Sequence, residues 1–168
     1  MLSTYDANSE NAVLGDEFSN KTLEEIKQFF PEAKHSVGLN PEYDIIIPDE
    51  NLGFPKIECK VCGSLVGTNG SRYVKIPLNL VMLSEAKFVR IRYTDLMGEF
   101  KDVYFRLSSL RSYYNKMKAK AKVIDQGDRK VILWPAHLLD GMRVKIETTQ
   151  ELVEYFNKEL VLRKTNSV

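Results

Sequence analysis

Residues 43–62 read YDIIIPDENLGFPKIECKVC, and the class of fold turns on this stretch. Tyr43-Asp44-Ile45-Ile46-Ile47 is a short β-branched run, the signature of a strand. Pro48-Asp49-Glu50-Asn51-Leu52-Gly53 is a turn, rich in the residue types that bend a chain. Phe54 to Cys62 alternates well enough for a second strand, hairpin-paired with the first. On that second strand Glu58 and Lys60 are two residues apart, so they share a face. Asp44 joins them if the hairpin register matches. Two carboxylates and one ammonium then lie on one patch of sheet.

Upstream, Leu23, Ile26, Phe29 and Phe30 recur at helical spacing, with Ser19 or Thr22 as cap and Pro31 at or just past the end. Residues 11–18 form an earlier turn of this helix or a short one of their own. Residues 35–41 read as a loop, with Gly38 and Asn40-Pro41 as turn signals. Downstream, residues 63–71 are a Gly/Ser/Thr-rich loop. Residues 76–86 read as a helix entered after Pro77. Residues 87–94 alternate apolar and basic side chains, which predicts a strand. Gly98 marks a turn, and Val103-Tyr104-Phe105 a further strand. Ser108 or Ser109 caps a basic helix running to about Lys120. Short strands follow at Val123 and at Val131-Ile132-Leu133, and Thr148 or Thr149 caps a last helix. The expectation is one mixed α/β domain over residues 1–168. Its core spans about 12–108, and a strand-strand-helix addition spans about 109–168.

The Asp44, Glu58 and Lys60 patch has a chemical use. Two carboxylates hold a hard divalent cation through oxygen and leave positions for water and phosphate. Such a cation polarises phosphate and acidifies water. A neighbouring lysine orients that water and offsets charge in the transition state. The alternative is a surface hairpin whose acids and lysine merely pair across strands.

Asp44…Glu58-Cys59-Lys60, framed by Ile45-Ile46-Ile47 and Ile57, resembles the core of the PD-(D/E)xK nuclease superfamily. The element order over residues 12–94 resembles that core as well: helix, strand with Asp, strand with Glu-x-Lys, helix, strand. Within the superfamily the pattern is most similar to archaeal Holliday-junction resolvases, through Tyr73-Val74-Lys75-Ile76 and Phe88-Val89-Arg90-Ile91. The resemblance implies a restriction-endonuclease-like mixed sheet flanked by helices, and a metal-dependent endonuclease acting on DNA, branched DNA first. It implies Mg²⁺ or Mn²⁺ on Asp44 and Glu58, with Lys60 positioning the attacking water. A carboxylate on the first helix often completes such sites. Glu17, Glu24 and Glu25 are the candidates, and Glu17 is preferred. The literal Pro-Asp pair is Pro48-Asp49, but it lies in the turn, so Asp44 is preferred as ligand. Rival readings are a restriction or homing-type nuclease, a non-catalytic nucleic-acid-binding module on a nuclease-like core, and an interaction domain without nucleic acid.

Composition sets the frame. The chain has 168 residues, 43% hydrophobic and 28% charged, which excludes a disordered polymer. No apolar run approaches a membrane span, and residues 1–10 carry no secretory pattern. Two cysteines exclude a disulfide scaffold, so a reducing, intracellular setting is expected. Cys59 and Cys62 face opposite sides of a strand, which argues for buried thiols over a shared metal. His35 and His137 join no nucleophilic or metal-ligand pattern.

The formal charge of +1 hides an asymmetry. Residues 1–84 carry 7 Lys+Arg against 12 Asp+Glu, and residues 85–168 carry 17 against 11. Seven cations against Asp102 alone fall within residues 101–122, a hint of a polyanion partner. The residues expected to hold DNA phosphates are Arg72, Arg90, Arg92, Arg111, Lys116, Lys118 and Lys120. The alternative for the helix among them is a solvated face. Cutting both strands of a duplex with one site per chain implies a homodimer.

Overall fold

The computed structural model describes residues 4–36, 43–118, 121–142 and 145–166. It is an α/β fold with two sheets. Its strands are β1 (Lys34–His35), β2 (Ile45–Ile46), β3 (Lys56–Val61), β4 (Ser64–Val66), β5 (Arg72–Pro77), β6 (Phe88–Thr94), β7 (Phe100–Arg106), β8 (Lys122–Gln126), β9 (Arg129–Pro135) and β10 (Lys145–Ile146). Its α-helices are α1 (Thr4–Lys27), α2 (Leu78–Leu83), α3 (Leu107–Met117), α4 (Ala136–Asp140) and α5 (Thr149–Asn166).

The larger sheet has the order β1-β2-β3-β6-β7-β10, and the smaller β4-β5-β9-β8. Strands β3 and β6 pair in parallel, with Glu58 beside Val89 and Lys60 beside Ile91. Strands β2 and β3 pair antiparallel, Ile45 to Ile57, as the hairpin reading requires. The larger sheet is therefore mixed, with helices on its flanks.

Period-2 alternation sends the side chains of the larger sheet into two cores. Ile57, Cys59, Phe88 and Tyr104 meet Phe18, Leu23 and Ile26 of α1, with Leu152 and Phe156 of α5. Val89, Ile91, Val103 and Phe105 meet Val74, Ile76, Ile132 and Trp134 of the smaller sheet. Glu58 and Lys60 alternate with Ile57 and Cys59, so they stand on the side of the smaller sheet.

Several elements differ from the sequence reading. Ser19 and Thr22 are not caps. Helix α1 runs through them, and Thr22 Oγ1 donates back to Phe18 O at 2.8 Å, a bond that satisfies a hydroxyl inside a helix. Residues 72–77 form a strand, so Ile76 is strand and only Leu78–Leu83 is helix. Buried Val74 and Ile76 alternate with Tyr73 and Lys75 there, a period-2 pattern that the following Pro77 obscured. Neither Ser108 nor Ser109 caps α3. Strand β7 runs directly into it at Leu107, with no side-chain cap bond. Thr148 does cap α5, its Oγ1 accepting from Glu151 N at 3.1 Å.

The C-terminal segment expected as an addition is woven into both sheets. Strand β9 pairs with β5, and β10 with β7. The segment's long-range pairing carries no local sequence signal, which is why it read as an appendage. Among the described residues no helix is long and apolar enough to cross a membrane.

Candidate active site

The site is built on the β2–β3 hairpin. Asp49 shapes its turn, with Oδ1 accepting from Asn51 N at 2.9 Å and Leu52 N at 3.3 Å. Gly53 follows at φ 76°, a left-handed position that glycine adopts without steric cost. Asp49 is thereby occupied in the turn, away from the patch.

Asp44 directly precedes the paired Ile45, and its backbone N–H donates to Ile57 O at 3.1 Å. Its Oδ2 accepts from Cys59 N at 2.7 Å. That bond turns the carboxylate onto β3 beside Glu58. Burial pushes the Asp44 carboxyl up, opposed by the Cys59 amide and by the Lys60 charge. Burial also pushes Glu58 up to about 8, with the neighbouring Asp44 charge adding to the rise and Lys60 opposing it. Glu58 Oε2 is buried and has no hydrogen-bond partner among the described residues.

Asp44, Glu58 and Lys60 line one cleft of about 660 Å³. Its walls come from α1 through Asp16 and Ser19, and from the smaller sheet through Lys75 and Arg129. Glu17 is exposed and does not line this cleft; its neighbour Asp16 does, and its charge acts on Asp44. Glu24 faces Lys27 at 3.9 Å, and Glu25 pairs with Arg90. Among the described residues no three His, Cys, Asp or Glu side chains converge as a ready ligand set. What the cleft offers is the Asp44–Glu58 carboxylate pair, with Asp16 on the α1 wall.

The expected phosphate contacts divide. Arg90 is a core residue, 4% exposed. It pairs with Glu25, donates to Thr22 Oγ1 at 3.0 Å, and lies over the Tyr104 ring at 4.8 Å. Arg92 grips Asp102 through two bonds of 2.7 and 2.9 Å. These two strand arginines point into the α1 side of the sheet, where a buried guanidinium must be paired. Arg90 is covered from solvent, and Arg92, partly exposed, is held by Asp102. Arg111 is also occupied, donating to Val81 O at 2.8 Å and Ser84 O at 3.0 Å. Arg72 is half-buried beside the Gly98 turn. Lys116 on α3 and Lys118 at its C-cap are exposed and do not line the cleft. Lys120 lies outside the described residues.

Lys60, Lys75 and Arg129 form no salt bridge among the described residues. Lys75 was legible in principle, because it alternates with Val74 and Ile76 on a strand. Asp16 lies three residues before Ser19 on one helical face. Arg129 reaches the cleft only through the pairing of β9 with β5. Cys59 and Cys62 are free and buried, with both thiols pushed up to about 12 chiefly by burial. They are inert at neutral pH.

No family model matches the chain, and no curated protein or solved structure matches it either.

Proposed function

We propose that the protein is a metal-dependent endodeoxyribonuclease of the PD-(D/E)xK type, on a restriction-endonuclease-like core, hydrolysing phosphodiester bonds of branched DNA. One observation carries the reading: Asp44 and Glu58 line one cleft with Lys60, and a buried Glu58 oxygen lacks a partner among the described residues. A buried polar atom without a partner is costly, and a hard cation satisfies it. The donor set fits Mg²⁺ or Mn²⁺, since both side chains offer carboxylate oxygen. Asp44 and Glu58 are the residues that would hold the ion. When bound, such an ion supplies Lewis-acid chemistry, polarising phosphate and acidifying water.

The chain's own residues do the rest. Cys59 N–H holds the Asp44 carboxylate on β3. Lys60 carries no salt bridge among the described residues, which leaves its ammonium to orient water and offset charge developing on the phosphate. The walls of α1 and the smaller sheet restrict solvent around it. Each chain carries one such site, so paired cuts in two strands call for two chains. A reducing intracellular setting suits the two free thiols.

The test is incubation with linear, supercoiled and four-way-junction DNA in Mg²⁺, Mn²⁺ or EDTA. Cleavage that needs the metal and disappears in Asp44→Asn and Glu58→Gln supports the proposal. Metal-independent cutting, or native rates in either variant, overturns it. Salt-sensitive DNA binding without cleavage under any metal would leave the non-catalytic binding module.

A further inference from the structure

A second cleft of about 450 Å³ shares Glu58, Lys60, Pro77 and Arg129 with the first. The two clefts therefore adjoin at the Glu58–Lys60 patch, and together they are read as one groove. Its lining changes along the way. In the first cleft Asp16, Asp44 and Glu58 balance Lys60, Lys75 and Arg129. In the second only Glu58 opposes Lys60, Arg129 and Lys130. Arg129 and Lys130 stand exposed at the start of β9, without a salt bridge among the described residues.

Each cleft also carries a large apolar side chain held out in solvent. Phe100 is 80% exposed in the first, and Leu83 is 70% exposed in the second. Burying either would gain free energy in proportion to the area removed from water. Cations tracking a groove beside exposed aromatic or apolar platforms form the pattern that binds an unpaired strand. An intact duplex hides its base faces in the stack and offers Phe100 none. An unpaired strand presents phosphates and base faces together.

We infer that this groove takes one unpaired polynucleotide strand, with phosphates on Lys75, Arg129 and Lys130 and bases against Phe100 and Leu83. The inference deepens the proposed nuclease function, and rests on it for the claim that this strand is the one cut. It names the substrate class as DNA with a locally unpaired segment, such as the single-stranded arm of a flap or fork.

The experiment uses full-length Asp44→Asn protein in EDTA, so that nothing is cut. Fluorescence anisotropy compares a mixed-sequence 20-nucleotide DNA strand with its own duplex across a KCl series. The single strand is expected to bind at least about 10-fold tighter, in line with the contribution of one stacked base. Adding Phe100→Ala should weaken single-strand binding on the order of 10-fold and leave the salt slope unchanged. Phe100→Trp should retain affinity. Adding Arg129→Ala and Lys130→Ala together should reduce the slope of log K against log salt by about 0.7 for each phosphate no longer neutralised. Circular dichroism confirms folding, to which these exposed side chains contribute little. Duplex binding equal to single-strand binding, or Phe100→Ala without effect, overturns the inference. Failure of the inference and failure of the nuclease function are distinguishable. Native protein that fails to cut with Mg²⁺ while the binding pattern holds removes the nuclease and keeps the strand groove. Metal-dependent cutting without the binding pattern does the reverse.

Discussion

Glu58 is a carboxylate that folding drives toward its neutral form. Its ordinary value lies near 4.5, and burial lifts it to about 8 in the folded chain. Between those values the folded state holds a proton that the unfolded chain has released. Stability of the metal-free protein therefore falls as pH rises from about 4.5 to about 8. Asp44, also raised, acts in the same direction. Glu58→Gln should remove most of this slope and raise the melting temperature at pH 8, read by calorimetry in EDTA. A steeper slope in that variant would contradict the assignment of the proton. Divalent-cation affinity should rise over the same window, because the ion displaces the proton. Lys60→Ala should lower single-turnover cleavage by on the order of 10²–10³, the range for one electrostatic group aimed at the transition state. Binding measured in Ca²⁺ should stay within a few-fold, and an equal loss in both would make Lys60 an ordinary phosphate contact. Arg90 belongs to a different class of residue. Arg90→Ala leaves Glu25 without its partner under the sheet. The expected cost is about 3 kcal/mol, the lower end for breaking a buried pair because Glu25 keeps some solvent. Chemical denaturation measures it, and the salt slope of DNA binding should not move.

At the scale of elements, the β2–β3 hairpin carries the site, and α2, braced by α3, lines the adjoining cleft. Asp49 holds the turn that fixes the β2–β3 register, so Asp49→Asn should leave cleavage near native. An inactive Asp49→Asn would move the ligand into the turn. Arg111 reaches across from α3 to carbonyls at the end of α2. Arg111→Ala should cost about 1.5–3 kcal/mol for charge-assisted bonds to a partly buried group. It should also lower cleavage modestly, since α2 supplies the wall carrying Leu83. The hairpin was legible because each strand's side-chain period and the turn chemistry agree. Strand β5 was not, because a six-residue strand running straight into a short helix offers no clear switch of period. Helix α1 was read too short for a related reason: Ser19 and Thr22 have the chemistry of caps wherever they occur, and only packing against the sheet shows them mid-helix.

At the scale of the molecule, the smaller sheet forms the far wall of the groove. Trp134 lies at its centre, fully buried, stacked on Tyr113 at 6.3 Å, with its indole nitrogen unpartnered among the described residues. Trp134→Ala should cost about 3–5 kcal/mol. Trp134→Phe keeps most of the packing and removes the unpartnered donor, so its cost should stay below about 1.5 kcal/mol. If the sheet positions Lys75 and Arg129, cleavage at low temperature should follow the packing loss in Trp134→Ala and survive in Trp134→Phe.

The residues of the β2–β3 hairpin determined by themselves that Glu58 and Lys60 share a face, because alternation along a strand is local geometry. Whether Asp44 joined them depended on the hairpin register, which the pairing of Ile45 with Ile57 supplied. What the basic residues do was decided only by the tertiary structure. Arg90 and Arg92 look identical in sequence to phosphate contacts, yet the parallel pairing of β3 with β6 aims them under α1, where burial demands partners. Lys75 had a local signal in its alternation with Val74 and Ile76, but Arg129 had none, and antiparallel pairing of β9 with β5 brings both into the cleft that Glu58 lines. A charged side chain's role depends on whether its face is covered, and coverage comes from contacts between segments distant in the chain.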